Sequence, residues 1–319
     1  MQILVTGDGT RTIEVDRPID LRVLMGPLMR GTGDPTTRVG MSAAIRASTT
    51  PDGPGTIDIR QSGAAILATA WGPGAAWLLQ GLPGLLGLDD DDTGFEPGLH
   101  PVVAGLARRL GRVRMSRTGV VWDVLLPAIL EQRITGTEAW RNYRRLVRTH
   151  GTRAPGPHEL LVAPSPAVVT ALPSWAYPAL GIEPRRGALL RRIAREAPRL
   201  EALARDSHAP GAGGAGSVAL ATALRAHSGI GPWTAAEVTL RALGDPDAVS
   251  VADAHLSHVV AFALTGAARG SDERMLELLA PWSGHRARVI RLLERSGITP
   301  PRYGPRVAPR DISREFRGR

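Results

Sequence analysis

The chain has 319 residues, of which 43% are hydrophobic and 22% charged, a balance typical of a globular protein with room for two or three domains. It contains no cysteine, which excludes disulfides, thiolate metal sites and a cysteine nucleophile. All 39 residues counted as lysine or arginine are arginine, so no lysine side chain can form a Schiff base, and the formal charge of +9 favours a polyanionic partner.

The first 98 residues have the pattern of a small α/β domain. Short alternating or apolar runs, bounded by Gly, Pro and Asp, predict strands at 2–6, 12–16, 38–48, 56–61 and 64–72. Apolar residues at helical spacing predict helices at 19–30 and 74–87 that cover the sheet. The acidic stretch LDDDDTGFEPG then predicts a boundary between this domain, residues 1–98, and the next.

Residues 99–298 have a helical pattern, since apolar side chains recur every three or four positions and several segments end at glycine. The predicted fold class is therefore α+β, with a sheet domain before a mostly helical one. A Gly/Ala-rich stretch at 208–217 predicts a flexible loop, and 299–319 a poorly ordered basic tail. No apolar run reaches the ~18 residues of a membrane span and no signal core is present, so we expect a soluble cytoplasmic protein.

The segment SGIGPWTA has the pattern of a tight connection between two helices. Gly229 can end the first helix with positive φ, Gly231 lets the turn close, and Pro232 suits the first turn of the next helix. Exposed backbone N–H groups in such a hairpin can bind a phosphate. An ordinary glycine-terminated helix pair explains the pattern equally well.

Asp253 is a single carboxylate in the otherwise apolar run AVSVADAHL. It stands just before a predicted helix, where aspartate is a favoured N-cap. A catalytic carboxylate is the alternative, and the residues by themselves favour the cap.

Taken together, SGIGPWTA and AVSVADAHL resemble the helix-hairpin-helix and Gly/Pro-Asp motifs of the HhH-GPD DNA glycosylase superfamily, and within it 3-methyladenine DNA glycosylase II. Three further segments are similar to that family in the same order: LLPAILEQRITGTEAWRNYRRLVRTHG, ALGIEPRRGALLRRIA and LAPWSGHRARVIRLL. The resemblance covers residues 99–298, whereas the N-terminal domain matches in position and size.

The resemblance implies base excision repair, in which a damaged base is flipped out of double-stranded DNA and its N-glycosidic bond is hydrolysed. Asp253 matches the catalytic acid, which stabilises the positive charge that develops on the sugar. Trp233 and Trp282 match aromatic walls of the base pocket, although helical tryptophans are more often core anchors. Glu237 replaces an aromatic of the related enzyme and either faces the pocket or pairs with an arginine.

The resemblance also implies which residues contact DNA. They are the hairpin residues Gly229, Ile230 and Gly231, then Gln132 and Arg133 at the gap left by the flipped nucleotide. By their placement, Arg185 and Arg186 are either phosphate contacts or a solvated arginine face, and His255 is either a structural or a DNA-facing residue. Glu131 stands where many relatives have glycine, and a carboxylate near DNA needs a partner. We expect a monomer without side-chain metal ligands or other cofactors, apart from a monovalent cation on hairpin backbone carbonyls.

Three functions remain open. The first is a monofunctional glycosylase for alkylated purines, because the strand-cutting branches use a lysine where this chain has Trp233. The second is a glycosylase for oxidised or deaminated bases without lyase activity. The third is a non-catalytic DNA-binding protein, against which Asp253 argues, since phosphate binding has no use for a negative charge there.

Overall fold

The structure, a computed structural model, describes residues 3–6, 9–206, 215–301 and 308–313. Strands occupy the N-terminal part and helices nearly all of the rest, which confirms the predicted α+β class. Within the described ranges no helix is both long and apolar enough to cross a membrane.

The N-terminal part forms a six-stranded antiparallel sheet with strand order β1-β2-β6-β5-β4-β3. Its strands are β1 (Ile3–Thr6), β2 (Thr10–Glu14), β3 (Thr37–Val39), β4 (Ala43–Thr50), β5 (Gly53–Ser62) and β6 (Ala65–Trp71). The helices α1 (Leu21–Met25), α2 (Ala75–Gln80) and α3 (Leu82–Leu85) share one hydrophobic core with it. The predicted strand 38–48 is in fact two strands, because a turn closed by the Gly40 N–H and the Ala43 carbonyl separates them.

The helical part contains two hydrophobic cores. One is built from α5 to α11, and the other joins α4 to α12, α13 and α14. The helices are α4 (Pro101–Leu110), α5 (Trp122–Glu131), α6 (Gly136–His150), α7 (Pro166–Ala171), α8 (Ala176–Ala179), α9 (Pro184–Asp206), α10 (Ala215–Arg225), α11 (Pro232–Val238), α12 (Leu256–Thr265), α13 (Asp272–Leu279) and α14 (Arg286–Ser296). A small sheet pairs β7 (Thr152–Arg153) with β8 (Leu161–Val162), and α11 continues into a π-helical turn, Thr239–Leu243.

The C-terminal residues 308–313 differ from the predicted poorly ordered tail, because they pack against α6. Arg145 makes a bidentate ion pair with Asp311 at 2.9 and 3.0 Å, and Ile312 and Ser313 are buried. Hydrogen bonds from Arg145 and Ser313 hold the pKa of the Asp311 carboxyl well below its usual range. The predicted loop at 208–217 lies mostly outside the described residues.

The acidic stretch after the sheet domain is held by arginines of the helical part. Arg288 of α14 is fully buried and donates to both carboxylate oxygens of Asp90 at 2.6 Å. The same guanidinium donates to the carbonyls of Asp91 and Val113. Two exposed pairs flank it, Asp89 with Arg117 and Asp92 with Arg112. This buried pair, the Arg288–Asp90 clamp, fixes the connection between sheet and helices.

Glu201 near the end of α9 caps the beginning of α5. Its carboxylate accepts the backbone N–H groups of Val121 at 3.1 Å and Trp122 at 2.8 Å. Burial raises the pKa of Glu201 from 4.5 to about 7, and the two backbone N–H donors oppose this shift only in part. The helix that leads to the turn at Gln132 thus starts at a carboxyl group that titrates near neutral pH.

We expect Glu201→Gln to remove a pH dependence of stability. A carboxyl whose pKa is raised by folding contributes most below its unfolded pKa, and this contribution is lost as the pH rises through 7. The free energy of unfolding of the wild type, relative to the variant, should therefore fall by about 3 kcal/mol between pH 4.5 and 8. Urea denaturation across this range measures it, with Glu196→Gln on the outer face of α9 as the control. Parallel curves for wild type and Glu201→Gln would contradict the prediction.

Candidate active site

The connection between α10 and α11 is the tight hairpin that the sequence predicts. Gly229 has a φ of 91°, which favours glycine, and a Cβ there would lie 3.2 Å from the Leu189 side chain. Ile230 is buried and anchors the turn, while Ser228, Gly229 and Gly231 are exposed. Gly231 has an extended backbone with open space around its Cα, so the fold does not require glycine at this position.

Asp253 forms the helix cap that the residues by themselves favour, and it uses one of its two carboxylate oxygens for this cap. Its Oδ1 accepts the backbone N–H groups of His255 at 2.8 Å and Leu256 at 2.9 Å, so it caps α12. Its Oδ2 accepts the indole N–H of Trp233 at 3.1 Å, which links the acid to the first turn after the hairpin. A carboxylate oxygen with one partner keeps a lone pair for another group.

Two residues other than glycine have positive φ in the described part of the chain, and both adjoin predicted site residues. They are Ala252 with a φ of 70°, directly before Asp253, and Arg133 with a φ of 53°, directly after Gln132. Asp272 accepts the N–H of Ala252 at 2.8 Å and so helps to hold its conformation. Such conformations cost about 1–3 kcal/mol each and concentrate at functional sites.

A cleft of about 290 Å³ opens beside Asp253, between the π-helical turn, the loop 248–255, α12 and α14. Its polar lining consists of Glu237, Arg241, Ser250, Asp253, His255, Arg291, Glu294 and Thr299. Two of the three carboxylates bind guanidinium groups within the cleft, Glu237 with Arg241 and Glu294 with Arg291. In the part of the chain that the structure describes, Asp253 has no guanidinium partner.

Glu237 pairs with an arginine, which was one of its two sequence interpretations, and its side chain also lines the cleft. Its Oε2 binds Arg241, and its Oε1 accepts the hydroxyl of Ser250 at 2.6 Å. Burial opposes the positive charge of Arg241, but the carboxylates of Glu237, Glu131 and Glu294 together outweigh it and raise the pKa of Arg241. Arg241 also donates its Nε–H to the carbonyl of Pro27 at 3.3 Å.

The turn after α5 brings Gln132 to the hairpin and leaves Arg133 exposed. The Gln132 Nε2 donates to the Gly229 carbonyl at 3.0 Å and to the Thr234 hydroxyl at 2.9 Å. Arg186, expected at a phosphate, is buried and donates to the Gln132 carbonyl at 2.7 Å, so it supports this turn instead. Arg185 is exposed, as a phosphate contact requires.

The Glu131 carboxylate has one ion-pair partner and one further hydrogen-bond donor. It pairs with the Arg30 Nε at 3.3 Å and accepts the indole N–H of Trp140 at 3.3 Å. Arg30 also donates to the Pro27 carbonyl at 2.9 Å, the same carbonyl that Arg241 reaches. This shared acceptor, the Pro27 bridge, connects the sheet domain to the end of α5 and to the cleft.

Trp282 lies away from the cleft lining. It is 4% exposed in the core of α4 and α12–α14, and its indole N–H donates to the Glu96 carbonyl at 2.8 Å. Trp233 is half-buried and reaches Asp253 from the hairpin side, and His255 is exposed on the cleft lining. The structure thus places Asp253, Glu237 and His255 in one cleft, with Trp233 beside it. Trp282, which was expected in the base pocket, belongs to a hydrophobic core instead.

Five polar cleft residues escaped the sequence prediction: Arg241, Ser250, Arg291, Glu294 and Thr299. Helical spacing could have identified two pairs among these and Glu237, because Glu237 and Arg241 are four residues apart and Arg291 and Glu294 three. No cluster of three or more potential metal-ligating side chains occurs in the described ranges.

No protein-family profile matches the chain, and no curated protein matches it either. Among solved structures, it is similar to a 3-methyladenine DNA glycosylase from Archaeoglobus fulgidus, with a TM-score of 0.72, 18% identity, and coverage of 89% of this chain and 97% of that one. It is also similar to a Clostridium acetobutylicum 8-oxoguanine glycosylase/lyase solved with double-stranded DNA, with a TM-score of 0.68, 11% identity, and coverage of 92% and 96%. The chain therefore has the fold of the helix-hairpin-helix DNA glycosylases, as the sequence resemblance implies.

Proposed function

We propose that this protein is a monofunctional DNA glycosylase that takes an alkylated purine from double-stranded DNA and hydrolyses its N-glycosidic bond. One observation carries the proposal: the Asp253 carboxylate lines a cleft and binds the indole N–H of Trp233, which begins the helix after the hairpin. A carboxylate beside a base-sized cleft and a turn suited to phosphate is the arrangement that this reaction needs. The glycosylase fold supports the same conclusion.

Asp253 would act on the sugar. Cleavage of the N-glycosidic bond builds positive charge on the sugar, as in the oxocarbenium-like transition state of glycoside hydrolysis. A carboxylate fixed by three N–H donors, and without a guanidinium partner in the described structure, is free to stabilise that charge and to orient the attacking water. The alkylated base leaves readily because it already carries positive charge.

The exposed hairpin and the turn after α5 would hold the DNA. Backbone N–H groups at Gly229 and Gly231 suit a phosphate, and the exposed Arg133 suits the gap left by the flipped nucleotide. Gln132 would position this turn through its bonds to the hairpin. Such backbone binding is independent of sequence and weakens as salt increases.

A monovalent cation on the hairpin remains part of the proposal. The Gly229 carbonyl accepts the Gln132 amide, and the Ser228 carbonyl accepts a hydrogen bond from Arg192. Each carbonyl oxygen has a second lone pair, so the hairpin residues fit such an ion. The cation would supply a fixed positive charge beneath the phosphate.

The second candidate is a glycosylase for oxidised or deaminated bases. The polar cleft favours it, because these bases differ from normal ones mainly in their hydrogen-bonding groups. In both cases the absence of lysine from the sequence leaves no side-chain amine for strand cleavage through a Schiff base.

The test is base release by the purified full chain from methylated duplex DNA. We expect methylated purines in the supernatant and abasic sites that break only on treatment with alkali. Duplexes with 8-oxoguanine or deoxyinosine, assayed in parallel, separate the second candidate. DNA binding without release of any base would leave a non-catalytic binding protein and overturn the proposal.

Ala252→Gly should separate backbone strain from catalysis. Glycine adopts the φ of 70° without steric cost, so we expect the free energy of unfolding to rise by about 1 kcal/mol. Base release should slow several-fold, because the residue next to Asp253 gains conformational freedom. Thermal melts and single-turnover assays measure the two effects. Ala254→Gly, at a neighbour of Asp253 without positive φ, is the control for stability and should not gain any. A variant with reduced stability would show that Ala252 is not strained.

A further inference from the structure

We propose that Glu237 makes the cleft selective for a base with an exocyclic amine, so that an alkylated adenine is preferred to a purine with a carbonyl at the same ring position. This inference rests on the proposed function, since it concerns the base that the same cleft receives. It follows from the charges and hydrogen bonds of the Glu237–Ser250 wall.

Two ion pairs determine the net charge of the cleft. The Glu237–Arg241 and Glu294–Arg291 ion pairs each cancel their own charge, which leaves Asp253 as the uncompensated carboxylate of the cleft in the described structure. A cationic base is therefore attracted mainly toward Asp253, beside the sugar. The Glu237 wall contributes little net charge, and its selectivity must come from directed hydrogen bonds.

The Glu237 carboxylate accepts a hydrogen bond on each of its two oxygens. The hydrogen of the Ser250 hydroxyl points at Glu237 Oε1, and Oε2 receives Arg241. A carboxylate has about four lone-pair sites, so two remain, and the Ser250 oxygen retains lone pairs as well. Glu237 and Ser250 can therefore accept hydrogen bonds but have no hydrogen left to donate, and Arg241 directs its Nε–H and Nη1 to Pro27 and Glu237.

An exocyclic amine is the chemical complement of such a wall. An exocyclic amine donates two hydrogens, and a bond to an ionised acceptor is stronger than a neutral one. A carbonyl at the same place would meet the lone pairs of Glu237 and leave buried acceptors unpaired. Sites built on polar contacts discriminate far more strongly than apolar pockets. Alkylated adenines keep the 6-amine, whereas hypoxanthine carries a 6-carbonyl.

The experiment compares two rate constants for each full-length variant. One is the release of 3-methyladenine from methylated duplex DNA, and the other is the release of hypoxanthine from a deoxyinosine duplex. Their ratio does not depend on the active fraction, and the change of the ratio on mutation cancels the different lability of the two bases. In Glu237→Gln the amide can donate to a carbonyl, so we expect the ratio to fall at least 10-fold.

Two further variants complete the design. Ser250→Ala keeps the ion pair but removes the Ser250 lone pairs and the hydrogen bond that orients Glu237, so the ratio should fall by a smaller factor. Glu277→Gln, in an exposed pair with Arg274, should leave the ratio unchanged. Equal loss of both rates in Glu237→Gln, or an unchanged ratio, overturns the proposal while the proposed function stands. If Glu237→Gln does not fold, an unchanged ratio in Ser250→Ala overturns it. A wild type that releases no base overturns the proposed function itself.

Discussion

Asp253→Asn should lower base release at least 100-fold while the protein still folds and binds DNA. On the proposed function, this substitution removes the carboxylate that stabilises the cationic sugar, an effect of about 10²–10³ in comparable electrostatic sites. Asparagine remains a good N-cap, so its side-chain oxygen can keep the N–H groups of His255 and Leu256. The bond from Trp233 is lost or weakened, which limits the loss of stability to about 1 kcal/mol.

Two further variants separate a loss of catalysis from a loss of stability. Asp253→Ala also loses the cap, so it should unfold about 1 kcal/mol more easily than Asp253→Asn at equal inactivity. Asp92→Asn changes an exposed aspartate and should keep full base release. Single-turnover release, duplex affinity and thermal melting are measured on all three. Asp253→Asn with near-normal release would leave Asp253 as a helix cap only.

Arg288→Ala should lower the free energy of unfolding by about 3–5 kcal/mol, the cost of removing one partner from a buried ion pair. The arginine is fully buried, and its loss leaves Asp90 charged without its two short contacts while two carbonyls lose a donor. Since a domain of ordinary stability has about 5–15 kcal/mol in total, such a loss would be visible at once in a urea melt.

Arg112→Ala is the matched control, because Arg112 pairs with Asp92 in the same acidic stretch but is 45% exposed. An exposed pair contributes less than about 1 kcal/mol, so this variant should melt close to the wild type. Equal effects of the two variants would show that the Arg288–Asp90 clamp does not control stability.

Local chemistry explains what could be predicted from the sequence. The hairpin follows from Gly229, which needs positive φ, and from Pro232 at the first position of α11. The cap by Asp253 is a bond to residues two and three positions away. Strand positions in the sheet domain follow from alternation, apart from the turn that divides 38–48.

Contacts between distant segments explain what could not be predicted. A tryptophan at helical spacing can face a core or a pocket, and the bond from Trp282 to Glu96 spans 186 positions. In the sequence, the acidic stretch indicates only a domain boundary, because Arg288, the residue that binds Asp90, lies 198 positions further on. The burial of Arg186 could not be predicted either, because it depends on a contact with the distant turn at Gln132.

The Pro27 bridge has a consequence for how a lesion would be recognised. The Pro27 carbonyl accepts the guanidinium groups of Arg30 in the N-terminal part and of Arg241 at the cleft, and the Arg288–Asp90 clamp holds the connection that follows the sheet, so two separate contacts tie the sheet to the helical part. These two ties oppose closure of the two parts around a duplex, so on the proposed function we expect the DNA to do the bending and unstacking. Damaged pairs that deform easily would then reach Asp253 first, and the mechanical compliance of the duplex would select the lesion before any chemical group is read.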